Sequence, residues 1–356
     1  MSTPIRVLVV DDSAVVRHLV SDLLAKEDGI EVAGVAENGR RGLERIATLQ
    51  PDVVVLDIEM PILDGLATLH ELRPRWPRLP VIMFSTLTER GASSTLSALA
   101  AGANDYVTKP GRLAGRAEAE AAVRDSLVPL VRNWGRLVRS RPAASPTPIV
   151  TRRPPLRLRE RVAGVVIGSS TGGPVALTSL IPALPATLPV PVLIVQHMPT
   201  VFTRMLAERL DERSPLRVVE ADEAMAVEGG TVYVAPGGIH MTVVRAGADI
   251  VVALDDGEPE NSCKPAVDVL FRSAVPVWGA GTLAVVLTGM GQDGMLGAEH
   301  IAAAGGSIVA QDEPSSVVWG MPGAVARAGL ADEVLALDEI PAALQRRVAH
   351  GTARSA

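Results

Sequence analysis

Asp52-Val53-Val54-Val55-Leu56-Asp57 is an apolar run of strand length that ends in a carboxylate, and its reading decides the fold. A run this short, β-branched and bounded by polar residues predicts a buried strand. The same figure recurs on both sides of it. Ile5–Val10 runs into Asp11-Asp12, Glu31–Ala36 and Val81–Ser85 are further strands, and Asp105–Thr108 is a short one followed by Lys109-Pro110. Between them, Ala14–Ala25 carries Val15, Leu19 and Leu23 at helical spacing, and Gly42–Leu49, Leu66–Leu72 and Ser93–Ala101 also read as helices. Five strands alternating with helices predict a doubly wound parallel α/β sheet. Ligands of such sheets bind beyond the carboxyl ends of the strands. Asp11, Asp12, Asp57, Ser85 and Lys109 all fall at those ends, so one edge gathers three carboxylates, a hydroxyl and an ammonium.

The chain has 356 residues, which predicts two domains. With 47% hydrophobic and 21% charged residues it is not disordered, and with 3% aromatics it lacks the stacking platforms that bind single-stranded nucleic acid. Its one cysteine, Cys263, rules out an internal disulfide framework and a cysteine-based zinc cluster, and fits a reducing compartment. No apolar run is long enough to span a bilayer, and the N-terminus does not read as a secretory signal, so a cytoplasmic protein is expected. Charge is unevenly spread. Residues 1–123 hold 13 basic and 17 acidic side chains, 124–161 hold 10 and 2, and 162–356 hold 11 and 21. The basic strip starts as an Arg-bearing helix and breaks up at Arg141-Pro142-Ala143-Ala144-Ser145-Pro146-Thr147-Pro148 and Arg153-Pro154-Pro155, which predicts a semi-rigid linker over 124–161 between domains at 1–123 and 162–350. A linker solvated and docked on acidic neighbours is the plain reading. Contact with nucleic acid, anionic lipid or an acidic protein face is the alternative.

Clustered carboxylates repel one another and tolerate it when a divalent cation sits among them. Oxygen-only ligands suit Mg2+, which favours a phosphate partner. Asp57 is the candidate phosphate acceptor, with Lys109 neutralising a phosphoryl oxygen and Ser85 bonding another. The plain alternative is that Asp11 and Asp57 only cap strand or helix ends. Asp11-Asp12, the stretch from Val53 through Asp57-Ile58-Glu59-Met60-Pro61 to Gly65, Ser85, Tyr106 and Lys109-Pro110 together resemble the receiver domain of two-component response regulators over about residues 5–123. The resemblance implies a flavodoxin-like fold, metal ligands Asp11, Asp12 and Asp57, a histidine kinase as phosphodonor, and Tyr106 as the aromatic that repositions with Ser85.

From Val162 a second α/β pattern begins. Strands are expected at Gly164–Ile167, Pro191–Gln196, Arg217–Glu220, Thr231–Ala235, Met241–Arg245, Leu283–Leu287 and Ser307–Ala310, with an antiparallel hairpin within 217–254. Helices are expected at Pro174–Leu184, Phe202–Leu210, Ala266–Val275, Gly294–Ala304 and Gly323–Ala328. Gly168-Ser169-Ser170-Thr171-Gly172-Gly173-Pro174 is a strand–turn–helix. Taken alone it reads equally as a nucleophile turn, a phosphate loop or a plain tight turn. His197 in Gln-His-Met-Pro and Asp293 in Leu287-Thr-Gly-Met-Gly-Gln-Asp-Gly294 follow two other apolar strands. A serine needs a base, histidine serves near neutral pH, and a carboxylate fixes its tautomer, so Ser170, His197 and Asp293 form a candidate triad. Gly289-Met290-Gly291 offers backbone N–H groups for an oxyanion.

At these residues, and at Tyr-Val-Ala-Pro-Gly-Gly-Ile-His-Met, Ala-Val-Asp-Val-Leu-Phe-Arg-Ser-Ala and Trp-Gly-Met-Pro, the second block resembles the catalytic domain of chemotaxis protein-glutamate methylesterases. With the receiver ahead, the resemblance covers nearly the whole chain. It implies a Rossmann-like α/β hydrolase domain that needs no cofactor, Ser170 as nucleophile, His197 as base, Asp293 as its partner, the Met290 N–H as oxyanion donor and Thr171 beside them. It implies cleavage of glutamate methyl esters on methyl-accepting chemoreceptors, deamidation of receptor glutamines, and relief by phospho-Asp57 of occlusion by the receiver. Two residues depart from the expected pattern: Ala266 stands where Ser is expected and Gly323 where Arg is. Ser169 is the alternative nucleophile. His240 is expected to be structural or groove-lining, and Cys263 is not expected to be a nucleophile because no base is evident beside it. Asp268 either bonds in the groove or caps a helix. Met198 and Met295 read as packing residues, and His18, His70, His300 and His350 as helical surface residues. A DNA-binding output is disfavoured because the basic strip is too short and proline-broken for a helix-turn-helix. A nucleotide-binding output is disfavoured because no Walker lysine follows the Gly168–Gly173 loop.

Overall fold

The computed structural model describes residues 3–109, 116–139 and 161–350. Two compact units emerge. Pro110, most of the proline-broken strip and its arginines from 141 to 159, and the side chain of His350, lie outside the described residues.

In the first unit, β1 (Ile5–Val10), α1 (Ala14–Ala25), β2 (Ile30–Ala36), α2 (Gly39–Leu49), β3 (Val53–Asp57), α3 (Gly65–Leu72), β4 (Val81–Ser85), α4 (Glu89–Ala100) and β5 (Asp105–Thr108) alternate, and α5 (Arg116–Arg139) follows. The sheet order is β2-β1-β3-β4-β5 and every pair is parallel. β3 and β4 are buried at every residue, the mark of strands covered on both faces. Side chains that accept N–H groups fix the helix starts: Ser13 caps α1, Asn38 caps α2, Asp64 caps α3 and Thr88 caps α4. The chain turns from one side of β1 to the other between β2 and β3, and Asp11, Asp12 and Asp57 stand at that switch point.

The expected boundary at residue 123 is corrected by α5. Val123, Leu127, Val128, Leu130 and Val131 belong to the first core, beside Ile5, Val7 and Phe84. Arg132 pairs with Glu27 at 2.7 Å. The amphipathic stripe continues past 123 without a break, so residues 124–139 are part of the first unit rather than linker.

The second unit holds β6 (Gly164–Ser169), α6 (Gly173–Leu180), β7 (Val192–Gln196), α7 (Thr200–Asp211), β8 (Arg217–Glu220), β9 (Thr231–Val234), β10 (His240–Ala246), β11 (Asp249–Asp255), α8 (Val267–Trp278), β12 (Thr282–Val286), α9 (Met295–Ala303), β13 (Ser307–Gln311), α10 (Met321–Arg327), β14 (Glu333–Leu335) and α11 (Ile340–His350). Seven parallel strands run in the order β14-β13-β12-β6-β7-β9-β8. The expected antiparallel hairpin is β10–β11, joined at Gly247-Ala248 with Gly247 at φ +64°. Among the described residues no helix is long and apolar enough to cross a membrane.

β6 is the switch point of this sheet, with β7 on one side and β12 on the other. α8 packs across it so closely that a Cβ on Gly168 would lie 2.3 Å from Val267 Cγ1. Gly168→Ala therefore overpacks the contact between β6 and the start of α8. It is expected to destabilise the second unit by about 1–3 kcal/mol, seen as a lower urea midpoint. An unchanged midpoint would show that Val267 moves aside without cost.

Candidate active site

The three strands around the switch point of the second sheet each deliver one candidate side chain. Ser170 follows β6, His197 follows β7, and Asp293 lies beyond β12 at the start of α9. The serine turn needs glycine at 172, where φ is +75° and a Cβ would meet Val317 Cγ2 at 2.5 Å. Gln196 ties this turn to the histidine. Its Nε2 donates to the carbonyls of Ser170 (2.9 Å) and His197 (3.2 Å), and its Oε1 accepts from Ser169 Oγ (2.7 Å). Ser169 is thus buried and bonded inward, which removes it as the alternative nucleophile, while Ser170 is partly exposed.

His197 Nε2 lies 2.8 Å from Asp293 Oδ2. Asp293 is almost fully buried and held on both oxygens. Val267 N–H donates to Oδ2 (2.7 Å), and Asp268 N–H (3.0 Å), Gly294 N–H (2.9 Å) and Asn261 Nδ2 (3.1 Å) donate to Oδ1. Two of these donors are the first N–H groups of α8, whose N-cap residue Ala266 makes no side-chain cap bond. The expected serine at 266 is therefore dispensable as a cap, because the Asp293 carboxylate, just ahead of α9, takes its place. Burial pushes Asp293 up, but His197 and the backbone donors outweigh it and hold the carboxyl below its ordinary value. Burial pulls His197 down, yet Asp293 and then Cys263 outweigh it, and the imidazole is raised.

Because Asp293 takes Nε2, the other nitrogen, Nδ1, is the one available as a base. Cys263 Sγ lies 3.4 Å from it. The expectation that no base stands beside Cys263 is thereby corrected: the loop before α8 folds back over the end of β7, a contact distant in sequence. Asn261 and Ser262 hold left-handed backbone at φ 52° and 61°. That conformation is costly for non-glycine residues. It is fixed by paired Glu260–Cys263 backbone bonds and by Asn261 Nδ2, which donates to both Asp268 Oδ2 (3.0 Å) and Asp293 Oδ1. Ser170 Oγ makes no hydrogen bond among the described residues.

Gly289 is pinned on both sides, its N–H on Val318 and its carbonyl under the N–H groups of Gly320 and Met321. The next N–H, that of Met290, makes no such bond among the described residues. Thr171 is partly exposed, and its carbonyl accepts from Thr288 Oγ1. His240 is structural: Nδ1 accepts from Ala266 N–H (3.1 Å), leaving Nε2–H for the Glu258 carbonyl (3.0 Å). Asp268 does not cap its own helix. It accepts Gly297 N–H from α9 at 2.6 Å, and burial, then opposed by that bond and aided by Asp293, pushes it up to about 6. Gly323 lies in α10, where a Cβ would stand 3.0 Å from the Trp319 ring. Met198 is buried and Met295 packs on the core. His18, His70 and His300 are exposed on helices. Asn261 and Gln196 are site neighbours missed by sequence reasoning, which weighed Cys263 but did not bring it to His197; only Gln196, adjacent to His197, left a local signal.

In the first unit, Lys109 Nζ sits 2.8 Å from both Asp11 Oδ2 and Asp57 Oδ2. Burial, with Asp11 adding to it against the Lys109 bond, raises Asp57 to about 6. Carboxylate oxygens of Asp11, Asp12 and Asp57 lie within 4.8 Å of one another. Ser85 points elsewhere: its hydroxyl bonds the Gly91 carbonyl (3.2 Å) and accepts from Thr95 Oγ1 (2.7 Å). Tyr106 is half-buried as a residue, and burial of its phenol, then the Asp105 charge, raise its pKa.

A CheB methylesterase family model matches residues 165–344, and a response regulator receiver domain model matches residues 7–118. A protein-glutamate methylesterase/protein-glutamine glutaminase from a Nocardioides species is 50% identical over 354 residues, covering 97% of this chain and 96% of the relative. One of the same name from Trichodesmium erythraeum is 44% identical over 347 residues, covering 96% and 99%. The crystal structure of the Thermotoga maritima CheB methylesterase catalytic domain matches with TM-score 0.51 and 44% identity, covering 52% of this chain and 99% of that one.

The pairing of His197 with a buried carboxylate fixes the sign of a titration. Imidazolium is favoured beside Asp293, so the His197 ring resonances are expected to titrate above the ordinary imidazole value, and Asp293→Asn should bring the midpoint down. A wild-type midpoint at or below the ordinary value, read by NMR, would overturn this account.

Proposed function

The chain belongs to the CheB methylesterase family, with a response regulator receiver domain ahead of the catalytic domain, and from that premise we propose that Ser170, His197 and Asp293 hydrolyse γ-glutamyl methyl esters on methyl-accepting chemoreceptors under the control of Asp57. The observation that carries the proposal is the 2.8 Å His197–Asp293 pair standing beside the serine turn that Gln196 ties to it. A phosphate cradle would leave that pair without a purpose.

Ser170 Oγ attacks the ester carbonyl while His197 Nδ1 takes its proton. Asp293 keeps the other ring proton on Nε2 and stabilises the imidazolium that forms. The tetrahedral oxyanion faces the Met290 N–H. Collapse expels methanol, protonated by His197, and leaves an acyl-serine that water cleaves by the same steps in reverse. With a glutamine side chain the leaving group is ammonia. To reach Nδ1 the serine displaces the Cys263 thiol contact. The esterase residues form this cycle without a cofactor.

In the receiver, a histidine kinase supplies the phosphoryl group, and the Asp57 carboxylate is the acceptor. The all-oxygen set of Asp11, Asp12 and Asp57 fits Mg2+. Magnesium bound there supplies positive charge against the phosphoryl oxygens. Lys109 adds its ammonium. Ser85 leaves Gly91 and Thr95 to bond a phosphoryl oxygen, and Tyr106 moves with it. A kinase donor and receptor signalling helices as substrate place the protein in the cytoplasm.

Methanol release from methylated receptor membranes tests both halves. Ser170→Ala is expected to lose at least about 1,000-fold in rate, and a small phosphodonor with Mg2+ should raise the wild-type rate but not that of Asp57→Asn. Full activity in Ser170→Ala would overturn the triad, and an equal phosphodonor response in Asp57→Asn would overturn the control.

A further inference from the structure

We propose that Cys263 and His197 form a binding site for a thiophilic divalent cation of the zinc class, and that occupancy of this site shuts the esterase off. The inhibitory half rests on His197 being the base; the metal site itself does not.

The donor set is a thiol, an imidazole and a carboxylate. Their ligand atoms lie within 4.8 Å of one another. Asp293 engages Nε2 and Cys263 faces Nδ1, so the two flank the ring on different nitrogens. An ion between Cys263 Sγ and His197 Nδ1 would therefore have Asp293 as an outer partner, the carboxylate–histidine–metal arrangement that orients metal-bound imidazoles. The spacing suits it. Zinc–sulfur and zinc–nitrogen bonds of ordinary length at a tetrahedral angle put sulfur and nitrogen about 3.6 Å apart, against 3.4 Å here. Sulfur with imidazole selects zinc over magnesium or calcium.

The site is also built and reachable. The Glu260–Cys263 backbone pair holds the thiol, Asn261 anchors its loop to Asp268 and Asp293, and five donors hold the carboxylate. Cys263 is partly exposed, and so is the His197 side chain at 12%. Two protein ligands leave the other positions to water, which makes an open, reversible site rather than a structural cluster. On binding, the Cys263 thiol gives its proton to solvent and forms an S–metal bond, and the Nδ1 lone pair forms an N–metal bond. The proton on Nε2 stays with Asp293. That lone pair is the one that Ser170 needs.

Cobalt(II) titration of the reduced full chain reads the site directly. Cys263 is the only cysteine, so a thiolate-to-cobalt charge-transfer band can arise nowhere else, and the all-oxygen receiver site cannot mimic it. The wild type is expected to show that band at one ion per chain, bleached by Zn2+. Cys263→Ser should lack it, His197→Gln should bind at least tenfold more weakly, and Asp293→Asn about 10–100-fold more weakly. Zn2+ should stop methanol release over the range in which it bleaches the band, reversibly with a chelator, and Cys263→Ser should need at least tenfold more. Absence of the band in wild type, or full affinity in His197→Gln, overturns the site. A bleached band with undiminished methanol release leaves the site standing and overturns His197 as the base.

Discussion

One carboxylate organises the second unit. Asp293 accepts four N–H groups and the imidazole of His197, and it does so while almost wholly buried. Removing an ionised carboxylate from water costs several kcal/mol, and only a full set of charge-assisted bonds offsets it. The partners come from four places: the N-terminus of α8, the loop at Asn261, the end of β7, and Gly294 next in the chain. Each is fixed because the carboxylate must be satisfied. The helix cap, the strained loop and the tautomer of His197 therefore depend on a single group, and the N-terminal end of α8 contributes its dipole to holding it negative.

The receiver solves a similar problem differently. Asp11 and Asp57 face each other at a switch point with one ammonium between them. Two acids and one base leave an excess of negative charge, and burial adds to it, so Asp57 is raised where Asp293 is lowered. The distinction follows from donors. Asp293 faces five, whereas Asp57 has Lys109 and a long bond from the Glu59 N–H at 3.4 Å. An under-satisfied carboxylate is poised to accept a cation and a phosphoryl group; a saturated one is poised to stay as it is.

Much of this is legible in the sequence, and the reason is topological. In a doubly wound sheet, continuous apolar runs are central strands, and the polar residue that ends such a run lies at the ligand edge. Asp57, His197 and the serine turn announce themselves in that way. What is not legible depends on contacts far apart in sequence. α5 looks like the start of a linker because its arginines run on into the basic, proline-broken strip, while Val123, Leu127 and Val131 find their core against the sheet and α1. β14 has three residues and, among the described residues, pairs only with β13. Cys263 and Asn261 lie more than 60 residues from His197 and carry no periodic signal; only the fold of the loop before α8 brings them to the ring.

That loop gives the His197 imidazole two suitors. Binding Asp293 through Nε2 leaves a single lone pair, on Nδ1, and both Ser170 and Cys263 are candidates for it. A thiol has the weaker hydrogen bond, so it yields when substrate draws the hydroxyl in. It is also far softer than a hydroxyl, so it wins when a thiophilic cation is present. In the proposed cycle the same neighbour yields to the serine, and in the proposed metal site it is the second ligand. This dual character requires the thiol to face Nδ1: had Asp293 taken that nitrogen instead, Cys263 would lie against a carboxylate-bound N–H and could neither compete for the lone pair nor share it with a cation.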